Sequence, residues 1–197
     1  MDEILLRSLK DVPVLRFYRW KGDWVSLGYF GELSSLDGCF DESVSVVRRW
    51  TGGGVVDHRK DFTYSLMIPR DHEVAKMRGA ESYAAIHAVV VEALCACGVQ
   101  TELIAKDGES DSPQCFEKPV AWDVVDVKGR KLAGAGQRRT RWGLLHQGSV
   151  LLGEGREEFG KLLVEALSGD LVVWSPSGEV EEKAEKLAVE KYAVLQR

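Results

Sequence analysis

The chain has 197 residues, of which 45% are hydrophobic and 29% charged, proportions that allow one globular domain with a substantial core. Its 31 acidic side chains outnumber the 26 basic ones and give a net charge of -5. This excludes a protein whose main partner is nucleic acid, because such binding needs a dominant basic field. A local basic pocket for one small anion is compatible with that charge. The 20 glycines, several of them clustered, are the one unusual feature of the composition.

The cysteines give a first indication of the compartment. Cys39, Cys95, Cys97 and Cys115 contain no CxxC pair, so neither a disulfide framework nor a metal site is expected. This usage is typical of a reducing cytoplasm. Two of them, Cys95 and Cys97, lie in an apolar helical stretch and are predicted to be buried thiols. The sequence has no signal peptide and no apolar run of the ~18 residues that a membrane span needs, so we expect a cytoplasmic protein without membrane contact.

The first half of the chain is predicted to consist mainly of strands, because it is rich in aromatic and β-branched residues. The predicted strands are Val12–Tyr18, Trp24–Tyr29, Ser43–Arg49 and Asp61–Ile68. A Lys-Gly-Asp turn sequence separates the first two, which predicts that they form a hairpin.

The second half is predicted to contain helices and further strands. Apolar residues at three- and four-residue spacing predict a helix over Tyr83–Cys97, ended by Gly98. The other predicted elements are a polar loop at Asp107–Pro113, a hairpin of Trp122–Val127 with Arg130–Gly136, a strand at Gly143–Leu152, and helices at Phe159–Leu167 and Glu179–Arg197. Strands grouped with a few helices predict an α+β fold, in which helices flank a mixed, largely antiparallel sheet.

The first candidate site is the segment Arg48–His58, between the third and fourth predicted strands. Its glycines, Gly52–Gly54, would let backbone N–H groups face a ligand without obstruction by Cβ atoms. The paired arginines would supply charge for a carboxylate or phosphate. Neither GxxxxGK[ST] nor GxGxxG is present, so the segment is not one of these two nucleotide-binding loops. A glycine-rich surface loop with two solvated arginines is the alternative.

Two further side chains are candidates for chemistry. Lys131 lies among small residues and glycines, where a lysine can point into a tight pocket and hold a carbonyl or phosphate oxygen. Its alternative is an ordinary surface lysine. Cys115 follows a polar loop, so an accessible thiol near a basic group could act as a nucleophile. Its alternative is an inert thiol at the start of a strand.

In combination and order, these segments resemble the lipoate–protein ligase and octanoyltransferase family, whose catalytic domain is akin to biotin protein ligase. The motifs that carry the resemblance are Arg48–His58, Thr63–Ser65, Gly129–Arg138 and His146–Ser149. The resemblance implies that Lys131 and Cys115 are catalytic. It also implies that a larger set of residues binds the substrate: Arg48, Arg49, Thr51, Gly52, Gly53, Gly54, His58, Gly134, Ala135, Gln137, His146 and Gly148.

The same resemblance implies a fold, a reaction and partners. The fold is that of the class II aminoacyl-tRNA synthetases and biotin–lipoate ligases, here as a single catalytic domain over residues 1–197 without an accessory C-terminal domain. The reaction attaches an octanoyl or lipoyl group to one lysine of a lipoyl carrier domain, in the glycine cleavage H protein or a 2-oxoacid dehydrogenase E2. Acyl carrier protein is a possible donor, and no tightly bound cofactor is expected.

Two mechanisms occur in the family, and the sequence has features of both. Ligases use ATP and Mg²⁺ to form a lipoyl-adenylate, and Gly54 ends the glycine run as in ligases. Transferases pass the acyl group through a cysteine thioester, and Cys115–Pro119 matches their Cys-Phe-acidic-x-Pro motif. Asp123 would contact the nucleotide of a ligase, although Trp122 replaces the neighbouring asparagine. The thioester route through Cys115 is favoured, with an ATP-dependent ligase and a non-catalytic binder of lipoate or lipoyl domains as alternatives.

Overall fold

The structure is a computed structural model that describes residues 1–105, 120–153 and 155–195. In chain order its elements are α1 (Asp2–Ser8), β1 (Val14–Tyr18), β2 (Trp24–Leu27), a 3₁₀ helix (Leu33–Leu36), β3 (Ser45–Arg48), β4 (Val55–Asp57), β5 (Asp61–Pro69), α2 (Glu73–Lys76), α3 (Gly79–Ala96), β6 (Thr101–Leu103), β7 (Val124–Asp126), β8 (Lys131–Thr140), β9 (Gly143–Leu151), α4 (Arg156–Leu167) and α5 (Gly178–Lys191). Among the helices in these ranges, none combines the length and the apolar character needed to cross a membrane.

The strands form two sheets. The larger sheet is antiparallel and has the order β1-β5-β9-β8-β7-β6. The smaller sheet has the order β3-β2-β4, with β2 parallel to β3 and antiparallel to β4. One parallel pair among antiparallel ones, together with the flanking helices, confirms the predicted α+β class and the largely antiparallel sheet.

Alternation along the central strands gives the large sheet two different faces. On one face, Tyr64 of β5 and Val150 of β9 are buried against α3 and α4. On the other, Met67 of β5 and Leu145 of β9 pack against α1. The small sheet contributes to this second side, and a cavity lies between the two sheets.

The predicted hairpin between the first two strands is wrong. β1 pairs with β5 of the large sheet, with Tyr18 opposite Thr63, whereas β2 lies between β3 and β4. Gly22 does form a bend, with φ +93°, but a turn sequence sets only the local direction of the chain. The apolar side chains of β2, Val25 and Leu27, are buried in a separate core of the small sheet, which draws β2 away from β1.

The other predicted elements within the described residues are confirmed in kind. The hairpin of β7 and β8, strand β9 and helices α3 and α4 form as expected. The sequence reasoning missed the short elements α1, α2, β4 and β6. The C-terminal helix ends at Lys191, because Leu195 leaves the helix and bridges Val46 of β3. The predicted loop Asp107–Pro113 lies outside the described residues.

The prediction that both helical thiols are buried is wrong. Cys95 is exposed and Cys97 is only partly buried. The buried stripe of α3 is formed by neighbours such as Val90 and Leu94, which face the large sheet. Both cysteines therefore belong to an apolar helical segment, but they lie beside its buried face and not within it.

Helix α5 is joined to α1 by a buried carboxylate. The side chain of Glu3 is 2% exposed and accepts hydrogen bonds from Lys191, at 2.7 Å, and from Tyr192 and Arg7. Burial by itself raises the pKa of Glu3, but the hydrogen bonds from Lys191 and Tyr192 and the charges of Lys191 and Arg7 outweigh it and lower the pKa.

We expect Glu3→Gln to lower the free energy of unfolding by about 1 kcal/mol at neutral pH, a small loss because the basic partners are partly exposed. A carboxyl group with a lowered pKa contributes stability above its unfolded pKa, here 4.5, and loses it as the pH falls through the folded pKa. Urea unfolding at about pH 7 and about pH 3 should therefore show that the difference in unfolding free energy between wild type and variant becomes smaller in acid. Glu179→Gln, in an exposed pair with Lys183, is the control and should change little; a gap independent of pH would contradict the assignment.

Candidate active site

A cavity of about 310 Å³ lies between the two sheets, and α1 and Tyr192 form part of its wall. Its volume is at the lower end of the range for small-molecule pockets, roughly 300–1,000 Å³, and suits a slim ligand. Aromatic side chains line it, among them Trp20 and Trp50, and Lys131 and Arg49 bring positive charge. The acidic side chains of Asp2 and Glu3 line it as well.

Lys131 is the most deeply held cation of this cavity. It begins β8, its side chain is 4% exposed, and its Nζ lies 2.7 Å from Oδ2 of the fully buried Asp123. The same carboxylate accepts hydrogen bonds from the Tyr83 hydroxyl at 2.5 Å and from the Val120 amide at 2.7 Å. Burial, followed by the nearby charge of Asp123, raises the pKa of Tyr83, so this hydroxyl is a neutral donor. Asp123 is thus fixed from three sides and in turn fixes Lys131.

Two glycines of β8 permit close approaches that a Cβ atom would prevent. A Cβ at Gly134 would lie 2.4 Å from Cε and 2.6 Å from Nζ of Lys131. A Cβ at Gly136 would lie 2.5 Å from the carbonyl oxygen of Gly52 and 2.8 Å from Oγ1 of Thr51. Gly134 leaves room for the Lys131 side chain to lie across β8, and Gly136 lets the loop around Thr51 and Gly52 pack on β8.

The glycine loop, residues Thr51–Gly54, is held by its backbone conformation and by hydrogen bonds to neighbouring residues. Thr51 is fully buried, and its hydroxyl donates to Oε1 of Gln147 at 2.8 Å. Gly53 has φ +98°, a conformation that favours glycine, and Gly54 directly precedes β4. The described structure supports a loop-forming role for Thr51, Gly52, Gly53 and Gly54; their assignment as substrate-binding residues stays a prediction.

The paired arginines have different tasks. Nη1 of Arg48 donates to the carbonyl oxygens of Gly28, Tyr29 and Gly31, at 2.5–3.2 Å, and so supports the loop after β2. Arg49 donates from Nη2 to the carbonyl oxygen of Gly52 at 2.9 Å. Both arginines line the cavity, and their assignment to substrate binding stays a prediction.

His58 belongs to a chain of hydrogen bonds that ends on Arg49. Its Nδ1 lies 2.7 Å from Oδ2 of Asp61, and its Nε2 lies 2.7 Å from the hydroxyl of Ser26. Because a carboxylate only accepts, Nδ1 carries a proton and donates to Asp61. Oγ of Ser26 in turn accepts from Nη1 of Arg49 at 3.2 Å. Ser26 and His58 both line the cavity, and their hydrogen bonds hold the guanidinium of Arg49 beside it.

His146 and Gln137 lie in a different layer from the cavity. The ring of His146 contacts the Tyr64 hydroxyl and the Gln137 amide, each at 3.1 Å, and is fully buried. Burial, followed by the neighbouring His87, keeps the pKa of His146 well below its usual value, so the ring is neutral. Neither side chain lines the cavity in the described part of the protein, whereas Gly134, Ala135 and Gly148 do.

The structure adds site residues that the sequence reasoning missed. Ser26 alternates with buried apolar residues on β2, and Asp61 follows His58 by three residues; both were visible as polar residues in strands. Tyr83 had no local signal, because its partner Asp123 is 40 residues away. Cys115, predicted to be catalytic, lies outside the described residues. Within 1–105, 120–153 and 155–195, no cluster of three or more His, Cys, Asp or Glu is arranged to hold a metal ion.

Comparisons with solved structures agree with the fold. Protein Ta0514 from T. acidophilum with bound lipoic acid has a TM-score of 0.77 and 22% identity, over 96% of this chain and 87% of the other. A bi-partite lipoate protein ligase with its E2 lipoyl domain, from Thermoplasma acidophilum, has a TM-score of 0.70 and 20% identity, over 96% of this chain and 86% of the other.

Sequence comparisons are more specific. An octanoyltransferase LipM of Staphylococcus epidermidis is 33% identical over 165 residues, which cover 77% of this chain and 59% of the relative. The chain thus spans somewhat over half the length of the curated relative it matches. The family model described as the lipoyl protein ligase A/B catalytic domain matches residues 1–173. This chain therefore belongs to the lipoyl protein ligase A/B catalytic domain family.

Proposed function

We propose that this protein transfers an octanoyl group to a lysine of a lipoyl carrier domain through a thioester on Cys115, without ATP. The observation that carries the proposal is the buried pair of Lys131 and Asp123 beside a narrow cavity with aromatic walls. A fixed cation at that place can hold the oxygen of an acyl group whose chain occupies the cavity. The octanoyltransferase named among the relatives favours this route over an adenylating one.

The proposed reaction has two acyl transfers. In the first, the thiolate of Cys115 attacks the carbonyl carbon of an octanoyl thioester, and the donor's thiolate leaves. In the second, the amine of the carrier lysine attacks the new thioester, an amide forms, and the proton lost by the amine goes to the departing Cys115 thiolate. Each step places negative charge on the acyl oxygen, which Lys131 and Arg49 are positioned to stabilise because both line the cavity.

The state of Asp123 argues against the adenylating route. Its Oδ1 accepts from Tyr83, and its Oδ2 accepts from Val120 and faces Lys131. A nucleotide contact through Asp123 would therefore have to compete with a complete set of buried partners. As acceptor we propose a lipoyl domain of the E2 or H-protein kind, and as donor an octanoyl carrier protein or an octanoylated carrier domain.

Intact mass after incubation with an octanoyl thioester tests the proposal. We expect one octanoyl adduct that neutral hydroxylamine removes and that is absent from Cys115→Ser. Cys39→Ser and Cys95→Ser are matched controls because both thiols are exposed, and both variants should retain the adduct. Modification of the carrier domain by Cys115→Ser with ATP and lipoate would show a ligase instead. Binding of a lipoyl domain without any transfer would show a non-catalytic relative.

A further inference from the structure

We infer that His87 is a positioning residue, which holds the Trp122–Asp123 turn so that Asp123 engages Lys131. The inference rests on the proposed function for its consequence in catalysis, since it assigns to His87 the task of keeping the catalytic lysine in place. His87 lies on α3, its Nδ1 faces the carbonyl oxygen of Trp122, and it is not among the described residues that line the cavity.

The turn that presents Asp123 is strained. Trp122 has φ +72° and is the one non-glycine residue with positive φ in the described ranges. A bulky side chain disfavours this left-handed region, so neighbouring contacts must hold the residue there. The Trp122 amide donates to the carbonyl oxygen of Ile104 at 2.8 Å, and the Ile104 amide donates to that of Asp123 at 2.9 Å. The carbonyl oxygen of Trp122 itself faces His87 on α3.

Two side chains of helix α3 form hydrogen bonds with this turn. Nδ1 of His87 lies 2.6 Å from the carbonyl oxygen of Trp122, and Tyr83, one helical turn earlier, donates to Oδ1 of Asp123. Residues four apart lie on the same face of a helix, and the two rings pack with centroids 4.1 Å apart. His87 thus fixes the backbone of the turn and Tyr83 fixes the carboxylate that it carries.

Only one nitrogen of His87 is used in the described structure. The carbonyl oxygen can only accept, so Nδ1 carries the proton, while the buried Nε2 has no hydrogen-bond partner among the described residues. Burial lowers the pKa of His87 to about 4, so the ring is neutral near neutral pH. Because Nε2 has no partner among the described residues, we infer that histidine is needed here for the hydrogen bond that its Nδ1 donates.

The amide nitrogen of an asparagine occupies nearly the position of histidine Nδ1, whereas that of a glutamine reaches towards Nε2. We therefore compare His87→Asn, His87→Gln and His87→Leu with the wild type. We expect His87→Gln and His87→Leu to lower kcat at least about tenfold with KM changed less than about twofold, because they misplace Lys131. His87→Asn should stay within about threefold of the wild type, and Trp122→Gly, which removes the strain, should restore part of the kcat of His87→Leu.

A second measurement is independent of the reaction. Mass mapping after brief treatment with an amine-modifying reagent should show more labelling of Lys131 in His87→Leu and His87→Gln than in the wild type, and no increase in His87→Asn. Wild-type levels of kcat and labelling in His87→Leu would overturn the inference, as would equal defects in His87→Asn and His87→Leu. An inactive wild type with the expected labelling pattern would refute the proposed function and leave the positioning role intact.

Discussion

Lys131→Met should lower the rate of octanoyl transfer by about 10²–10³-fold, the effect of removing one preorganised group that stabilises an oxyanion. Methionine keeps the length and most of the volume of the side chain but carries no charge. The loss should appear in both transfers, because the acyl oxygen becomes negative in each. Single-turnover acylation of the protein and transfer to a carrier domain would be measured separately.

Two controls separate this loss from a loss of folding. Lys131→Met leaves Asp123 buried without its cation, which is expected to cost about 3–5 kcal/mol of stability. Adding Asp123→Asn removes that charge and should recover stability without recovering activity. Lys128→Met, at an exposed position of the turn before β8, should leave both unchanged. Full activity of a folded Lys131→Met would exclude the lysine from the reaction.

Gly134→Ala should lower the rate by about 100-fold, since misplacing a catalytic group by about 1 Å has effects of this size. The added methyl group would meet Cε and Nζ of Lys131 at 2.4 and 2.6 Å and Oδ1 of Asp123 at 3.1 Å. The colliding atoms belong to the flexible end of the lysine, so the clash is relieved by moving Nζ away from Asp123 while the strand remains in place. Steady-state rates and urea unfolding of the same preparation check the two effects together.

Gly153→Ala is the matched control for this substitution. A Cβ at Gly153, which follows β9, meets no atom of the described residues within 4 Å, so we expect the wild-type rate. Gly134→Ala with the wild-type rate would contradict the view that this glycine exists to make room for Lys131.

Motifs in the sequence were good guides where the chemistry lies in one segment. The two arginines that precede the glycine loop, Arg48 and Arg49, line the cavity together with Lys131, and their role in binding a substrate stays a prediction. The glycines Gly134 and Gly136 stood out in the sequence only as part of the glycine-rich segment around Lys131, and the contacts that require them are seen only in the structure. In contrast, the motif residues His146 and Gln137 form a buried network, since a motif records which residues occur together and not which face of a strand they occupy.

The failures of sequence reasoning concern pairing between distant segments. β1 and β2 are neighbours in the chain and were predicted to pair, yet each found its partner in a different sheet. The choice depended on which apolar side chains share a core, which no local turn sequence specifies. The structure also brings the Asp123 carboxylate to Lys131 and Tyr83, partners that its motif did not indicate. The nucleotide contact that the resemblance implied for a ligase stays a prediction.

The sequence by itself determined the family and the α+β class, and it singled out a glycine loop, two arginines, a lysine and a cysteine as candidates for the site. The tertiary structure decided how the loop, the arginines and the lysine are held. Tyr83 and Asp123 are 40 residues apart, and Ser26 and His58 are 32 apart, so their contacts leave no trace in local periodicity. Burial makes these contacts matter, because a charge or hydroxyl removed from water is stable only with its partners. The excess of glycine has two origins. The glycine loop was visible in the sequence, whereas the need for a glycine that makes room for Lys131 became visible only in the tertiary structure.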